Sequence, residues 1–115
     1  MDIPVEVTFR HMPLSASVEK FCQDEANRLL RLTDKVTKVR VVIDHAPLHH
    51  LQRSNLEVNV VLTMPDGSVA ANHERPRDAS ENLVAAVRSA FTVARRQLVR
   101  RLNQDQREVT DHDEV

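Results

Sequence analysis

The sequence has very few glycine, cysteine and aromatic residues, and each shortage excludes a class of protein. Its 115 residues include one glycine, Gly67, one cysteine, Cys22, three phenylalanines and no tryptophan or tyrosine. A single glycine excludes a Walker loop or a dinucleotide-binding fingerprint, because both need several glycines where the backbone approaches phosphate. A single cysteine excludes internal disulfides and cysteine-based zinc clusters. The scarcity of aromatic rings argues against base-stacking platforms such as the RRM sheet.

Long apolar runs are missing as well. The apolar runs in the sequence are only a few residues long, as at Val41–Ile43 and Val60–Leu62, whereas a helix that spans a bilayer needs about 20 apolar residues. Asp2, Pro4 and Glu6 stand where a secretory signal would have a basic and then an apolar stretch. We therefore expect a cytoplasmic protein with no membrane partner, and the length allows one domain with one core.

The formal net charge of −1 hides a division of charge along the chain. Residues 103–115 contain five acidic residues and one arginine, which gives this segment a charge of −4. Residues 82–102 contain five arginines and no acidic residue. We predict a folded domain over residues 1–102 and an acidic, disordered tail over residues 103–115.

Hydrophobic periodicity predicts the element order β-α-β-β-β-α. Alternating apolar residues predict strands beginning near Val5, Val39, Leu56 and Val69. Helical spacing predicts a first helix that starts after Ser15 as N-cap and ends near Leu32, and a last helix that starts with the capping box Asp78–Glu81 and ends near Leu102. The tetrad Met64–Gly67 predicts a hairpin turn, whereas residues 44–55 show no clean period and are interpreted as a loop.

These elements predict an α+β fold, because each helix has only one apolar stripe with which to cover a sheet. We expect a two-layer β-α-β-β-β-α sandwich. Its four-stranded mixed sheet would carry both helices on one face, a layout like that of double-stranded-RNA-binding domains (dsRBD-like). The first two strands should be parallel, joined by a right-handed crossover through the first helix.

The arginines of the last helix form the most informative pattern in the sequence. Arg88 and Arg95 flank its apolar stripe, and Arg96 and Arg100 lie further round on the polar side. Arginine pairs with phosphate oxygens through a planar fork, and ordinary solvated helix faces usually mix glutamate with lysine. The acid-free row therefore favours a nucleic acid or another polyanion as partner.

A second basic set runs from the first helix into the second strand, with Asp24, Glu25 and Asp34 interleaved. Its members are Arg28, Arg31, Lys35, Lys38 and Arg40. The interleaved acids make a plain solvated surface the stronger interpretation of this set. His73, Arg75 and Arg77, just before the last helix, are further candidates for RNA contact.

The six histidines and the lone cysteine do not predict a metal site or an active site. His45, His49 and His50 lie near Asp44, but adjacent histidines on a strand cannot easily face one ion, so a polar or RNA-contacting segment is the better interpretation. Cys22 falls on the apolar face of the first helix, as a buried residue would. We predict no metal, no cofactor, no small-molecule substrate and no enzymatic activity.

Three features resemble the ribosome hibernation-promoting factor and ribosome-associated inhibitor (protein Y) family. Residues 5–43 follow the family's strand, helix and strand without a gap. Val84-Ala-Ala-Val-Arg88 is similar to the family's Tyr-Ala-Ala-Ile-Asp, and Arg96-Gln97-Leu98 stands where the family has Arg-Gln-Leu before a basic run, here Arg100-Arg101. The resemblance covers about residues 4–102.

The resemblance implies a non-enzymatic, monomeric short-form factor that binds the small ribosomal subunit in its mRNA and tRNA channel, contacts ribosomal RNA and keeps ribosomes inactive during stress. The chain departs from the family pattern at Val84, Arg88 and Glu25. Carried over by position, and extended by the basic residues noted above, the predicted RNA-binding residues are Arg28, Arg88, Arg95, Arg96, Arg100, Arg101, Lys35, Lys38, Arg75 and Arg77.

Two other functions remain open from the sequence. A β-α-β-β-β-α core also supports shape recognition of structured RNA unrelated to the ribosome. Alternatively, the arginines of the last helix bind an acidic protein, and the chain is a regulatory interaction module.

Overall fold

The computed structural model describes residues 3–48, 53–77 and 83–113, with side chains over residues 3–45, 55–74 and 83–104. The elements follow the predicted order. They are β1 (Val5–Arg10), α1 (Ala16–Leu30), β2 (Lys38–Leu48), β3 (Arg53–Met64), β4 (Gly67–Arg77) and α2 (Leu83–Asp113). The predicted α+β class is confirmed.

The four strands form one mixed sheet in the order β1-β2-β3-β4. β1 and β2 are parallel, with Val5 opposite Val39, and the other two pairings are antiparallel. The parallel pairing confirms the expectation from the β1-α1-β2 connection. β1, β2 and β4 all start at the same end of the sheet, where the β3–β4 turn also lies, and we call it the hairpin end. Because α1 follows β1 and α2 follows β4, both helices run back toward the hairpin end.

The core lies between one face of the sheet and the two helices. Val39, Val41 and Ile43 alternate along β2 and are fully buried, and β3 and β4 contribute in the same way. Cys22 and Ala26 of α1 are fully buried, as are Ala86, Ala90, Ala94 and Leu98 of α2. The small alanine side chains let α2 lie close to the sheet. The alternate strand residues, such as Arg40 and Glu57, lie on the other face, which we call the open face.

The local signals for the first helix and the hairpin are confirmed. Ser15 Oγ accepts a hydrogen bond from the Val18 backbone N–H at 3.4 Å, as an N-cap does. The helix ends at Leu30, two residues before the predicted end. Met64 pairs with Gly67 across the two-residue turn Pro65-Asp66. Gly67 has φ +146°, a backbone conformation that side-chain-bearing residues rarely adopt.

The prediction of a loop over residues 44–55 was wrong for most of that segment. β2 continues to Leu48 and β3 begins at Arg53, with His45 opposite Leu56 and Pro47 opposite Ser54. β1 ends opposite Asp44, so beyond that point β2 has a free side. Proline is tolerated in a strand where such a side is free, which explains why Pro47 does not end β2. β4 likewise runs past His73 to Arg77, because it is an edge strand that accommodates Pro76.

The last helix is longer than the sequence predicts. α2 is helical to Asp113, whereas we expected a helix end near Leu102 and disorder beyond it. Residues 83–115 contain no glycine or proline, and the glutamine, arginine and glutamate residues after 102 favour helix. The division at residue 102 into a domain and a separate tail stays a prediction. The capping box at 78–81 lies outside the described residues.

Within the described part of the chain, no helix is long and apolar enough to span a membrane.

Candidate nucleic-acid interface

The outward side of α2 presents the arginines that the sequence singled out. Arg88, Arg95, Arg96 and Arg100 are exposed, and together we call them the arginine face. The opposite side of the helix is buried against the sheet through its alanines and Leu98. Since residues 83–104 contain no acidic residue, no side chain of this helical stretch neutralises the arginine face. A rigid helix therefore holds four guanidinium groups toward solvent.

The arginine face has two sides. At 100° per residue, Arg88 and Arg95 lie toward α1, and Arg96 and Arg100 lie toward β4. Arg88 contacts α1, and Arg100 lines a groove with Ser68 and Ala70 of β4. The strip between the two sides includes Thr92 and Val99, whose exposed fraction is 40%. The surface thus offers fixed positive charge on both sides of a weakly apolar strip.

Arg88 is held by an aromatic ring of the neighbouring helix. Its guanidinium carbon lies 5.4 Å from the centroid of the Phe21 ring. Among the described residues its guanidinium group has no hydrogen bond or ion pair, so its N–H groups remain available for a ligand. The contact joins α1 and α2 at the start of the arginine face.

Arg101 differs from its four neighbours, because it is engaged by the β3–β4 turn. Its Nη2 donates to the Asp66 carbonyl oxygen at 3.3 Å and lies 3.2 Å from Asp66 Oδ2. The contact of Arg101 with the Asp66 carboxylate is the main reason that the pKa of Asp66 lies below its usual value. Arg101 follows Ala94 by seven residues and therefore shares its core-facing direction, a signal that the sequence already contained.

Replacing Arg101 with glutamine should lower stability modestly, and more where Asp66 is ionised. Because the folded-state pKa of Asp66 is below that of the unfolded chain, the contact stabilises the fold above the unfolded-state pKa and is lost as the pH falls through the folded-state pKa. We expect the urea midpoint of Arg101→Gln to lie below that of wild type at pH 7, with the gap narrowing as the pH falls below about 4. Arg100→Gln is the matched control. A gap independent of pH would contradict the assignment.

The second basic set does not form one surface. Arg28 Nη1 lies 3.5 Å from Glu25 Oε1. Lys38 Nζ lies 3.4 Å from Glu6 Oε1. Lys35 is exposed near the hairpin end and contributes to the lowered pKa of Asp66. Arg40 lies on the open face, away from the helices.

Arg28 is the member of that set best placed beside the arginine face. It follows Phe21 by seven residues, as Arg95 follows Arg88, and the two helices run in the same direction. Residues seven apart lie on the same side of a helix. Arg28 and Arg95 are therefore expected to border the same groove between α1 and α2.

Some residues that the sequence singled out lie outside the described part of the chain. The side chains of Arg75 and Arg77 lie outside the described residues, as do His49 and His50 entirely. His45 is half-buried within β2 and so does not lie in a loop. Over the described ranges, no three His, Cys, Asp or Glu side chains are arranged to hold a metal ion.

Cys22 is a core residue, as its helical position predicted. Its side chain is fully buried. Burial is the main cause that raises its pKa to about 12, with smaller contributions from Glu19 and Glu25. The thiol is therefore protonated at neutral pH, and the reactive thiolate form is suppressed.

Comparisons with known proteins agree with this fold. The model of a family described as sigma 54 modulation protein / S30EA ribosomal protein matches residues 5–106. A ribosomal subunit interface protein from Coxiella burnetii is similar in structure, with a TM-score of 0.70 and 13% identity over 88% of this chain and 99% of that one. The N-terminal domain of protein Y from Thermus thermophilus has a TM-score of 0.65 and 22% identity over 87% of this chain and 98% of that one. No curated protein matches the sequence.

Proposed function

The chain belongs to the sigma 54 modulation protein / S30EA ribosomal protein family, and from this premise we propose that it inhibits translation by occupying the small ribosomal subunit. Family membership makes it a ribosome-associated modulation protein of the hibernation type. The finer proposal is that it binds ribosomal RNA in the mRNA and tRNA channel during stress. It would do so as a monomer in the cytoplasm, without enzymatic activity.

The arginine face is the observation that carries this proposal. Its four exposed guanidinium groups project from one rigid helix with no acidic neighbour over residues 83–104. Arginine forks bind phosphate oxygens and fix the position of a protein on RNA without reading its sequence. A folded RNA with a defined backbone shape, such as ribosomal RNA, is the partner that this chemistry suits best.

Inhibition would follow from occupancy. The chain measures 60 × 31 × 20 Å along its principal axes. A body of that size held by its arginines in the channel would exclude mRNA and tRNA by steric overlap. Arg28 and the arginine face would make the principal contacts. Arg101 would act indirectly, because it is tied to Asp66 and keeps the hairpin against α2.

Binding to small ribosomal subunits should weaken steeply with salt. If Arg28 and the four residues of the arginine face each contact one phosphate, the logarithm of the association constant should fall with the logarithm of the salt concentration at a slope of about −4 to −5. Sedimentation of the protein with purified small subunits at stepped KCl concentrations measures this slope. A slope near zero would contradict phosphate contacts as the basis of binding.

The same assay separates the proposal from its competitors. Binding to a bare RNA duplex but not to subunits would favour a structured-RNA binder unrelated to the ribosome. Binding to neither would favour an interaction module whose arginine face meets an acidic protein.

A further inference from the structure

A contact between Phe21 and Arg88 joins the side of α1 to the arginine face of α2. Phe21 is a partly buried residue of α1 that packs at the edge of the core. Arg88 is exposed on α2, and its guanidinium carbon lies 5.4 Å from the ring centroid. The pair lies where the arginine face begins, on the side toward α1.

We propose that Phe21 and Arg88 form one composite phosphate-binding position, in which Phe21 orients the guanidinium and Arg88 binds a phosphate of the RNA backbone. This inference rests on the proposed function, because it assigns a phosphate of the same RNA partner to a defined pair of residues. Phe21 is a positioning residue and touches no RNA itself. The RNA-binding surface then reaches from α2 to the edge of α1.

The chemistry of the pair explains why a ring would help. An aromatic ring attracts the flat face of a guanidinium group, while the N–H groups that bind phosphate point outward from its rim. One contact therefore does not compete with the other. A free arginine side chain loses conformational freedom when it binds a phosphate, and a ring that restricts it beforehand reduces that loss.

Two substitutions at position 21 separate positioning from packing. Phe21→Tyr keeps the ring, and Phe21→Leu keeps an apolar side chain but removes the ring. We expect Phe21→Leu to weaken binding to small ribosomal subunits roughly two- to fivefold, in line with the strength of exposed cation–π contacts. Phe21→Tyr should bind as wild type does. Phe9→Leu is the matched control, because Phe9 is also a partly buried ring beside the core but belongs to β1.

Arg88→Gln supplies the second half of the test. It should lower the magnitude of the salt slope by about 0.9, because one phosphate contact is lost. In the Arg88→Gln background, Phe21→Leu should have no further effect on binding, as a double-mutant cycle requires if Phe21 acts through Arg88. Urea denaturation of each variant reports whether the fold itself has changed.

The outcomes distinguish this inference from the proposed function. If wild type binds with a steep salt slope but Phe21→Leu binds equally well, the composite position is wrong and the proposed function stands. If Phe21→Leu weakens binding equally with Arg88 present or absent, Phe21 acts through packing and the inference also fails. If wild type does not bind small subunits at all, the proposed function itself is overturned.

Discussion

The double substitution Arg95→Glu/Arg96→Glu should weaken binding to small ribosomal subunits by about 100-fold or more. A hydrogen bond to a charged group contributes roughly 1.5–3 kcal/mol, so the loss of two such contacts corresponds to about 3 kcal/mol or more. Each 1.4 kcal/mol is about a factor of ten in affinity. The new carboxylates also repel phosphate. Both arginines are exposed, so the fold should be unaffected.

The open face offers a control with the same change in net charge. Arg10 and Arg40 are exposed there, on the side of the sheet away from α2. Arg10→Glu/Arg40→Glu should retain most of the binding in the same sedimentation assay. Full binding by Arg95→Glu/Arg96→Glu would refute the arginine face as the RNA contact. Equal losses in the two double variants would show that only net charge matters.

Leu98→Ala should produce a large loss of stability. Leu98 is fully buried on the sheet-facing side of α2, and in the sequence it stands between Arg95-Arg96 and Arg100-Arg101. Removing a buried leucine side chain typically lowers the free energy of unfolding by about 2–5 kcal/mol, because apolar contacts are lost and a cavity remains. In a domain of this size, the Tm should fall by about 10 °C or more.

The neighbouring Val99 provides the matched control for Leu98. Its exposed fraction is 40%, against 0% for Leu98. Val99→Ala should change the free energy of unfolding by less than about 1 kcal/mol, because little apolar surface leaves the core. Urea denaturation measures both variants. Equal losses of unfolding free energy in the two variants would mean that Leu98 does not anchor α2 in the core.

The sequence predicted those parts of the fold that depend on neighbouring residues. The Ser15 cap and the turn at Pro65-Asp66 are local signals, and both are confirmed. The lengths of β2 and β3 were not predictable in the same way. Beyond Asp44, β2 and β3 continue without β1, and polar residues such as Asn55, which donates to Glu74 of β4, interrupt the apolar pattern. Periodicity reports a buried face, and it weakens where that face ends.

In the candidate site, too, local features were predictable and tertiary contacts were not. Helical spacing alone predicted that Arg95 and Arg96 would be exposed, and the structure agrees. It did not reveal that Arg101 meets Asp66, 35 residues earlier in the chain, or that Arg88 meets Phe21 of another helix. Those contacts depend on how the helices are placed over the sheet. Two of the five arginines were therefore given partners only by the tertiary structure.

The length of α2 has a consequence for how the molecule approaches RNA. Because the helix is continuous to Asp113, Asp111 lies about 22 Å along its axis from Arg96. That separation exceeds the screening length of about 8 Å at physiological ionic strength, so Asp111 is screened from Arg96. The helix carries five of its six arginines over residues 88–101 and all of its acidic residues after residue 104. Near a polyanion such a helix experiences a torque, which turns its basic stretch toward the RNA before contact.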